Sequence, residues 1–194
     1  MAPKRTPQYP IAELFLNRFS PYAFSGEEMS DEELMPLFEA AKWAPSSYNG
    51  QPWRFIYAKR NTKHWDRLFN LMVPFNQSWA KNASVLVVIA SRTKFEFNGQ
   101  PERTHSFDTG AAWMNLALQA NLNGFITHGM EGFDYDRAKK DLNIPDGYQV
   151  EAMIAIGKHG KLDELSPDMQ EREKGMPSGR KNLNEIVFEG VFKE

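Results

Sequence analysis

Between Ser84 and Ala90 the chain reads SVLVVIA, an apolar run behind a single serine. It is too short to cross a membrane and rich in β-branched side chains, so it reads as a strand buried on both faces. Such a strand sits at the centre of a sheet whose two faces both need a cover. Further strands are read in WRFIYA from Trp53, in FITHGMEGFD from Phe125, which runs on into a glycine-bracketed loop, and in YQVEAMIAIG from Tyr148. Helical patterns alternate with them. Ile11, Leu14 and Phe15 form a short stripe ending near Asn17, and Ser30 with Glu33 makes a capping box ahead of an apolar face at Leu34, Leu37, Phe38 and Ala41. Pro36 is expected either to kink this helix by displacing the Glu32 carbonyl or to mark where its regular part begins. Trp65 to Val73 reads as a helix, and so does Asp108 to Gly124, with Ala112, Leu116 and Leu122 among its apolar positions and Gly124 closing it. Asp134 caps a helix through Leu142, which Pro145 stops. The interleaving predicts an α+β fold with helices packed on a mixed central sheet.

With 194 residues, 41% of them hydrophobic and 13% aromatic, one domain with a real core is expected over 1–194. A net charge of -2 gives no bulk attraction to nucleic acid or to anionic membrane. The chain has no cysteine, so disulfides and thiolate chemistry are excluded and redox work falls to something bound. The opening MAPKRTPQYPIAELF is basic and lacks a long apolar region, which places the expectation in the cytoplasm, with no membrane partner. From Lys161 to Arg180 the composition turns polar, and only NEIVFEGVF from Asn184 reads again as an apolar, strand-like run. A tail with so little to bury is expected to wrap another surface, a second subunit being the natural one.

The four histidines, His64, His105, His128 and His159, stand in unrelated settings with no triad spacing, and no metal site is expected. His128 alone is kept as a candidate lining residue. Trp43, Trp53 and Trp113 read as core aromatics. Four polar or basic clusters remain: NRFSPYAF at 17–24, APSSYNGQPW at 44–53, THGMEGFD at 127–134 and SGRKNL at 178–183. Each alone has a plain explanation as a helix end, a turn or a solvated basic pair.

Together, and in this order, they resemble the nitroreductase family of FMN-dependent oxidoreductases. The Pro-Ser-Ser-x-Asn-x-Gln-Pro-Trp block is the specific part and the basic pair the weak one. The resemblance implies an intertwined homodimer with FMN at the subunit interface and residues 161–194 as an arm around the partner. It implies that Pro45, Ser46, Ser47 and Asn49 line the flavin, in part from the opposite subunit. Arg18 and Ser20, with Arg180 or Lys181, would hold the phosphate, with the backbone of Phe19 close by. Asn76 would stand at the flavin and substrate edge. Gly129, Met130, Glu131 and Gly132 would form the loop whose Glu131 N–H faces flavin N5, with no catalytic side chain beyond the cofactor. The implied activity carries hydride from NADH or NADPH to a small-molecule electron acceptor, such as a nitroaromatic or a quinone.

Two positions depart from the pattern. Many relatives carry a cation where this chain has Tyr22, and some carry another where it has Trp79; both would face flavin N1 and O2. Arg54, His128 or the Tyr22 hydroxyl are the residues that would compensate. Phe95, Phe97 and Phe107 flank a hydrophilic stretch at 94–106 that reads as a lid. Other chemistry on the same scaffold (a dehydrogenase, a reductive dehalogenase, a flavin-consuming synthase) and non-catalytic flavin storage share these clusters and stay open.

Overall fold

The computed structural model describes residues 4–176 and 178–193. Four strands form one sheet: β1 (Trp53–Lys59), β2 (Val85–Arg92), β3 (Ile126–Met130) and β4 (Tyr148–Gly157), in the spatial order β1-β2-β4-β3. Every neighbouring pair is antiparallel, which corrects the mixed sheet read from the sequence. The reason lies in the order. β2 and β3 do run parallel, as the helix between them requires, but β4 inserts between them and runs against both. The α+β architecture itself stands.

The helices are α1 (Glu13–Asn17), α2 (Asp31–Lys42), α3 (Trp65–Phe69), α4 (Pro74–Ala80), α5 (His105–Leu122), α6 (Tyr135–Asp141) and α7 (Pro167–Lys174). β2 is buried along its whole length and alternates between two cores. Leu86, Val88 and Ala90 face a cluster with Phe24, Leu68, Leu71, Trp79 and Met153. Val85, Val87 and Ile89 face a second, in which Leu34, Leu37 and Ala41 of α2 meet Ala112 and Leu116 of α5. Each leucine, valine or isoleucine among them contributes on the order of 1.5–3 kcal/mol by leaving water. The capping box of α2 is present in full, Ser30 Oγ accepting from Glu33 N–H and Glu33 accepting from Ser30 N–H. α2 runs on through Pro36.

Several local expectations change. The helix read over 65–73 ends at Phe69, and α4 begins at Pro74, which occupies the first turn where its missing N–H costs nothing. FNQSW is therefore helical, so Asn76 and Trp79 share one face. The polar tail contains α7, again opened by a proline, whose Met169 is buried. The run at Asn184 forms no strand; a single 3-10 turn, Leu183–Glu185, precedes irregular chain to Lys193. Trp53 is core, but Trp43 is 75% exposed, and Leu122 is 63% exposed. With Phe107 and Met114, also exposed, Leu122 draws an apolar stripe along the outer side of α5.

Candidate functional site

Arg18 ends α1, half-buried, and its Nη1 donates to Ser20 Oγ at 3.2 Å. Beside it lies Arg5, whose Nη1 donates to the carbonyls of Leu16 and Arg18 at 2.9 and 2.5 Å and whose Nε is buried without a partner. Arg180 completes the group from the tail. Burial first, then the charges of Arg5 and Arg180, hold the pKa of Arg18 below its ordinary value. Burial, followed by Arg180, does the same to Arg5. Among the described residues no carboxylate forms an ion pair with any of the three. Three like charges brought together without a counter-ion favour an incoming anion. Arg5 also stands between two cavities of about 530 Å3 each, one against Phe19, Ser20 and His159, the other against Arg180 and Lys181.

The segment after Arg18 is fixed from two sides. Phe24 bridges His159 beyond the end of β4, and Glu173 of α7 accepts the N–H groups of Tyr22 and Ala23 at 2.6 and 3.0 Å. Tyr22 then stacks on His128 of β3, with ring centroids 4.8 Å apart, and Trp79 of α4 lies 4.5 Å from the same imidazole. His128 Nδ1 lies 2.9 Å from the Pro21 carbonyl, so Nδ1 carries the proton and donates. Burial pushes the pKa of this histidine down; the Pro21 bond and the Glu173 charge pull it partly back. The two positions without a cation thus share one aromatic cluster with the only histidine marked in the sequence.

Of the 129–132 segment read as a loop, Gly129 and Met130 are the last residues of β3, paired with Ile154 and Met153, and only Glu131 and Gly132 lie beyond it. Asn76 Nδ2 donates to the Gly132 carbonyl at 2.9 Å, while its Oδ1 accepts from Trp79 Nε1 at 3.2 Å, so the buried amide is occupied within the chain. Gly132 is required here, because a Cβ on it would stand 2.6 Å from Asn76 Nδ2. The Glu131 carbonyl accepts from Phe133 N–H at 2.8 Å, and among the described residues the Glu131 N–H makes no hydrogen bond. Met130 is buried beneath, and Gly129 packs against Trp113.

The Pro45–Asn49 block stands apart, ahead of β1 on the opposite edge of the sheet from β3. It is a strap with left-handed backbone at Tyr48, Asn49 and Gln51, at φ +50, +54 and +48. Side chains there pay a conformational cost that surrounding structure must offset. Ser47 N–H donates to Asp108 of α5 at 2.9 Å, and Gln51 N–H to Ser46 Oγ at 3.1 Å. Pro45 and Asn49 are exposed, and Tyr48 meets Phe95 of the 94–101 hairpin edge-on and Phe97 at a tilt. Phe107 belongs instead to the α5 stripe.

One chain therefore joins Arg18, Phe19, Ser20, Tyr22, Asn76 and 129–132, with Arg180 and Lys181 at the rim, but leaves Pro45, Ser46, Ser47 and Asn49 elsewhere. Arg5 and Glu173 were not read from the sequence; one sits in an unpatterned basic opening, the other in a tail read as featureless. His105 is not a plain surface histidine. Its Nδ1 lies 2.7 Å from Ser91 Oγ and 3.5 Å from Glu151, the residue left over where the β2–β4 register shifts. Serine and carboxylate meet the same ring nitrogen, so this is not a triad, in which they take opposite nitrogens. No group of three or more acidic or histidine side chains that could hold a metal occurs among the described residues, and no helix is long and apolar enough to cross a membrane.

Fold and site define a class: an antiparallel α+β protein with a cluster of three arginines toward one sheet edge and a hydrogen-bonded, left-handed strap at the other. The chain belongs to the nitroreductase family, whose model matches residues 16–74 and 58–158. A solved structure described as the oxidoreductase containing FMN is 46% identical, with a TM-score of 0.92 covering 97% of this chain and 96% of that one. A Streptomyces coelicolor protein provisionally named NADH dehydrogenase/NAD(P)H nitroreductase is 31% identical over 79% of this chain and 85% of that protein. A provisionally named nitroreductase from Exiguobacterium sibiricum, solved in complex with FMN, shares the fold at 22% identity, with a TM-score of 0.76 covering 94% of this chain and 99% of that one.

Proposed function

We propose that the protein is an FMN-dependent oxidoreductase that uses NADH or NADPH to reduce electrophilic small molecules, with nitroaromatics and quinones as the acceptor class. The observation that carries it is the cluster of Arg5, Arg18 and Arg180 beside Ser20 with no ion-paired carboxylate among the described residues. Its residues fit a phosphate monoester. The unpartnered Arg5 Nε and the Ser20 hydroxyl are the donors such a group takes up, and a dianion relieves the mutual repulsion of the guanidinium groups. Bound FMN supplies the redox chemistry, a ring that accepts hydride at N5 from the nicotinamide and passes two electrons on to the acceptor.

The chain's own part is position and field. Arg5, Arg18, Ser20 and Arg180, with Lys181 at the rim and the Phe19 backbone alongside, fix the phosphate. Asn76 holds loop 129–132 through the Gly132 carbonyl, which leaves the Glu131 N–H as a donor for the ring's N5 edge. Tyr22 offers a neutral aromatic wall where a cation is usual, the fully buried Trp79 packs behind it, and the buried His128 between them stays neutral at physiological pH.

Pro45, Ser46, Ser47 and Asn49 reach the ring from a second copy. Their place on the far sheet edge and the exposed stripe of Phe107, Met114 and Leu122 on α5 support a homodimer that pairs one chain's cradle with the other's strap. The exposed Val187, Val191 and Phe192 are then the part of the arm that meets the partner.

The test is optical. Purified protein should be yellow, its flavin band should bleach when NADH or NADPH is added without oxygen, and the colour should return with a quinone. Protein that stays colourless in added FMN overturns the assignment.

A further inference from the structure

The strap's left-handed backbone is held from below by side chains that its own sequence does not reveal. Arg92, at the end of β2, donates from Nη2 to the Gly50 carbonyl at 2.6 Å and from Nε to the Lys94 carbonyl at 2.6 Å, and it also pairs with Glu96. Asp108 accepts from the Ser47 N–H and from Thr104 Oγ1 at 2.9 and 3.2 Å. Between them lies Glu102, whose side chain is fully buried. Neither carboxylate oxygen makes a hydrogen bond, and its nearest cation, Arg92 Nη2, stands 3.6 Å away. A Cβ on Gly50 would lie 2.6 Å from Glu102 Oε1 and 3.2 Å from its Cδ. Gly50 has an ordinary φ of -65°, so the glycine answers to space rather than backbone shape: the carboxylate is the nearest obstacle, with the Ser47 carbonyl next at 3.1 Å.

A buried carboxylate without hydrogen bonds is a poor way to stabilise a fold, and its loss need not strand a buried charge here, since Arg92 keeps Glu96 and the Gly50 and Lys94 carbonyls. Burial accordingly pushes the Glu102 carboxyl above its ordinary pKa, against the pull of Arg92. Its position, directly under the strap and beside the guanidinium that grips Gly50, explains its presence in another way.

We propose that Glu102 is a positioning residue for the cofactor site: with Arg92 it fixes the 46–51 backbone in the ligand-ready shape before the flavin arrives. This rests on the strap lining the flavin, as proposed above. The carboxylate holds Arg92 against the Gly50 carbonyl by charge and fills the space that the glycine leaves. The strap is thereby spared an ordering step on binding, and such a step is what a flexible loop would subtract from affinity.

The signature is a separation of stability from binding. In the full-length protein, Glu102→Met should leave the melting temperature of the FMN-free protein equal or higher, speed amide exchange at residues 47–51, and weaken FMN binding by about tenfold. Glu102→Gln, which keeps the shape without the charge, should lie between the two. Gly50→Ala should weaken FMN binding in the wild-type background and do so less beside Glu102→Ala, which removes the closest clashing atoms and leaves only the Ser47 carbonyl at 3.1 Å. Unchanged exchange at 47–51 in both Glu102 variants, or a Gly50→Ala effect indifferent to Glu102, overturns the proposal. The exchange measurement needs no FMN, so it stands even if the wild-type protein fails to take up flavin, a result that would sink only the cofactor assignment. Should Glu102→Met fail to fold, the Glu102→Gln exchange data and the Gly50 pair decide.

Discussion

The cradle at Arg18 and the strap at Ser47 are built on opposite electrostatic plans. In the cradle, three guanidinium groups gather with no ion-paired carboxylate among the described residues, the nearby Glu173 being taken up by the Tyr22 and Ala23 N–H groups, and one of them keeps a buried N–H unspent. Under the strap, two buried carboxylates and one arginine lock a strained backbone in which the N–H groups of Ser47, Asn49, Gly50 and Gln51 are already bonded. The first region leaves like charges and a buried donor unmatched; in the second the strap's backbone donors are matched, while the Glu102 carboxylate beneath them is not. If both regions serve one flavin, as proposed, charge recognition and shape recognition fall to separate parts of the chain, and each can be altered without the other.

The largest expected effect breaks the cradle. Arg5→Ala with Arg18→Ala removes two charge-assisted contacts, each worth about 1.5–3 kcal/mol, and should weaken FMN binding at least about a hundredfold. Relief of repulsion should leave the FMN-free protein no less heat-stable, and fluorescence titration with calorimetry reads both. Equal affinity before and after would mean that the phosphate sits elsewhere. A second test asks whether the two ends belong to different copies. Met114→Glu with Leu122→Glu charges the exposed α5 stripe, and sedimentation should show monomers that bind FMN several-fold more weakly or worse. A monomer with full affinity would place the whole site in one chain.

The smallest effect lies at His128. Its folded pKa is depressed below 6.5, chiefly by burial, so the unfolded chain takes up a proton first as pH falls. Its contribution to stability is full above pH 6.5 and is lost as pH drops from there toward the folded pKa, with a slope of at most about 1.4 kcal/mol per pH unit. His128→Gln should flatten that part of the pH–stability curve. A curve that keeps its shape assigns the slope to another group.

What could be read from the sequence follows from range. The capping box at Ser30, the buried β2 run and the proline-bounded α6 rest on neighbours a few residues apart, and they appear as read. The Pro45–Asn49 block was visible as a motif, yet its support was not: Arg92, Glu102 and Asp108 come from β2, from a loop and from α5, and no local pattern announces them. Trp43 and Leu122 show a related limit. An apolar periodicity tells which face of a helix avoids water, but not whether this chain or another covers it. Arg5 gave no signal, since a basic residue near a chain end looks solvated until a fold brings it to Arg18.

The insertion of β4 between β2 and β3 bears on how the molecule is made. Until residue 157 has left the ribosome, β2 and β3 each present a bare inner edge to whatever strand comes near. Assembly is therefore deferred to late in synthesis, and a message cut short before that point would yield a sticky fragment rather than a smaller working protein.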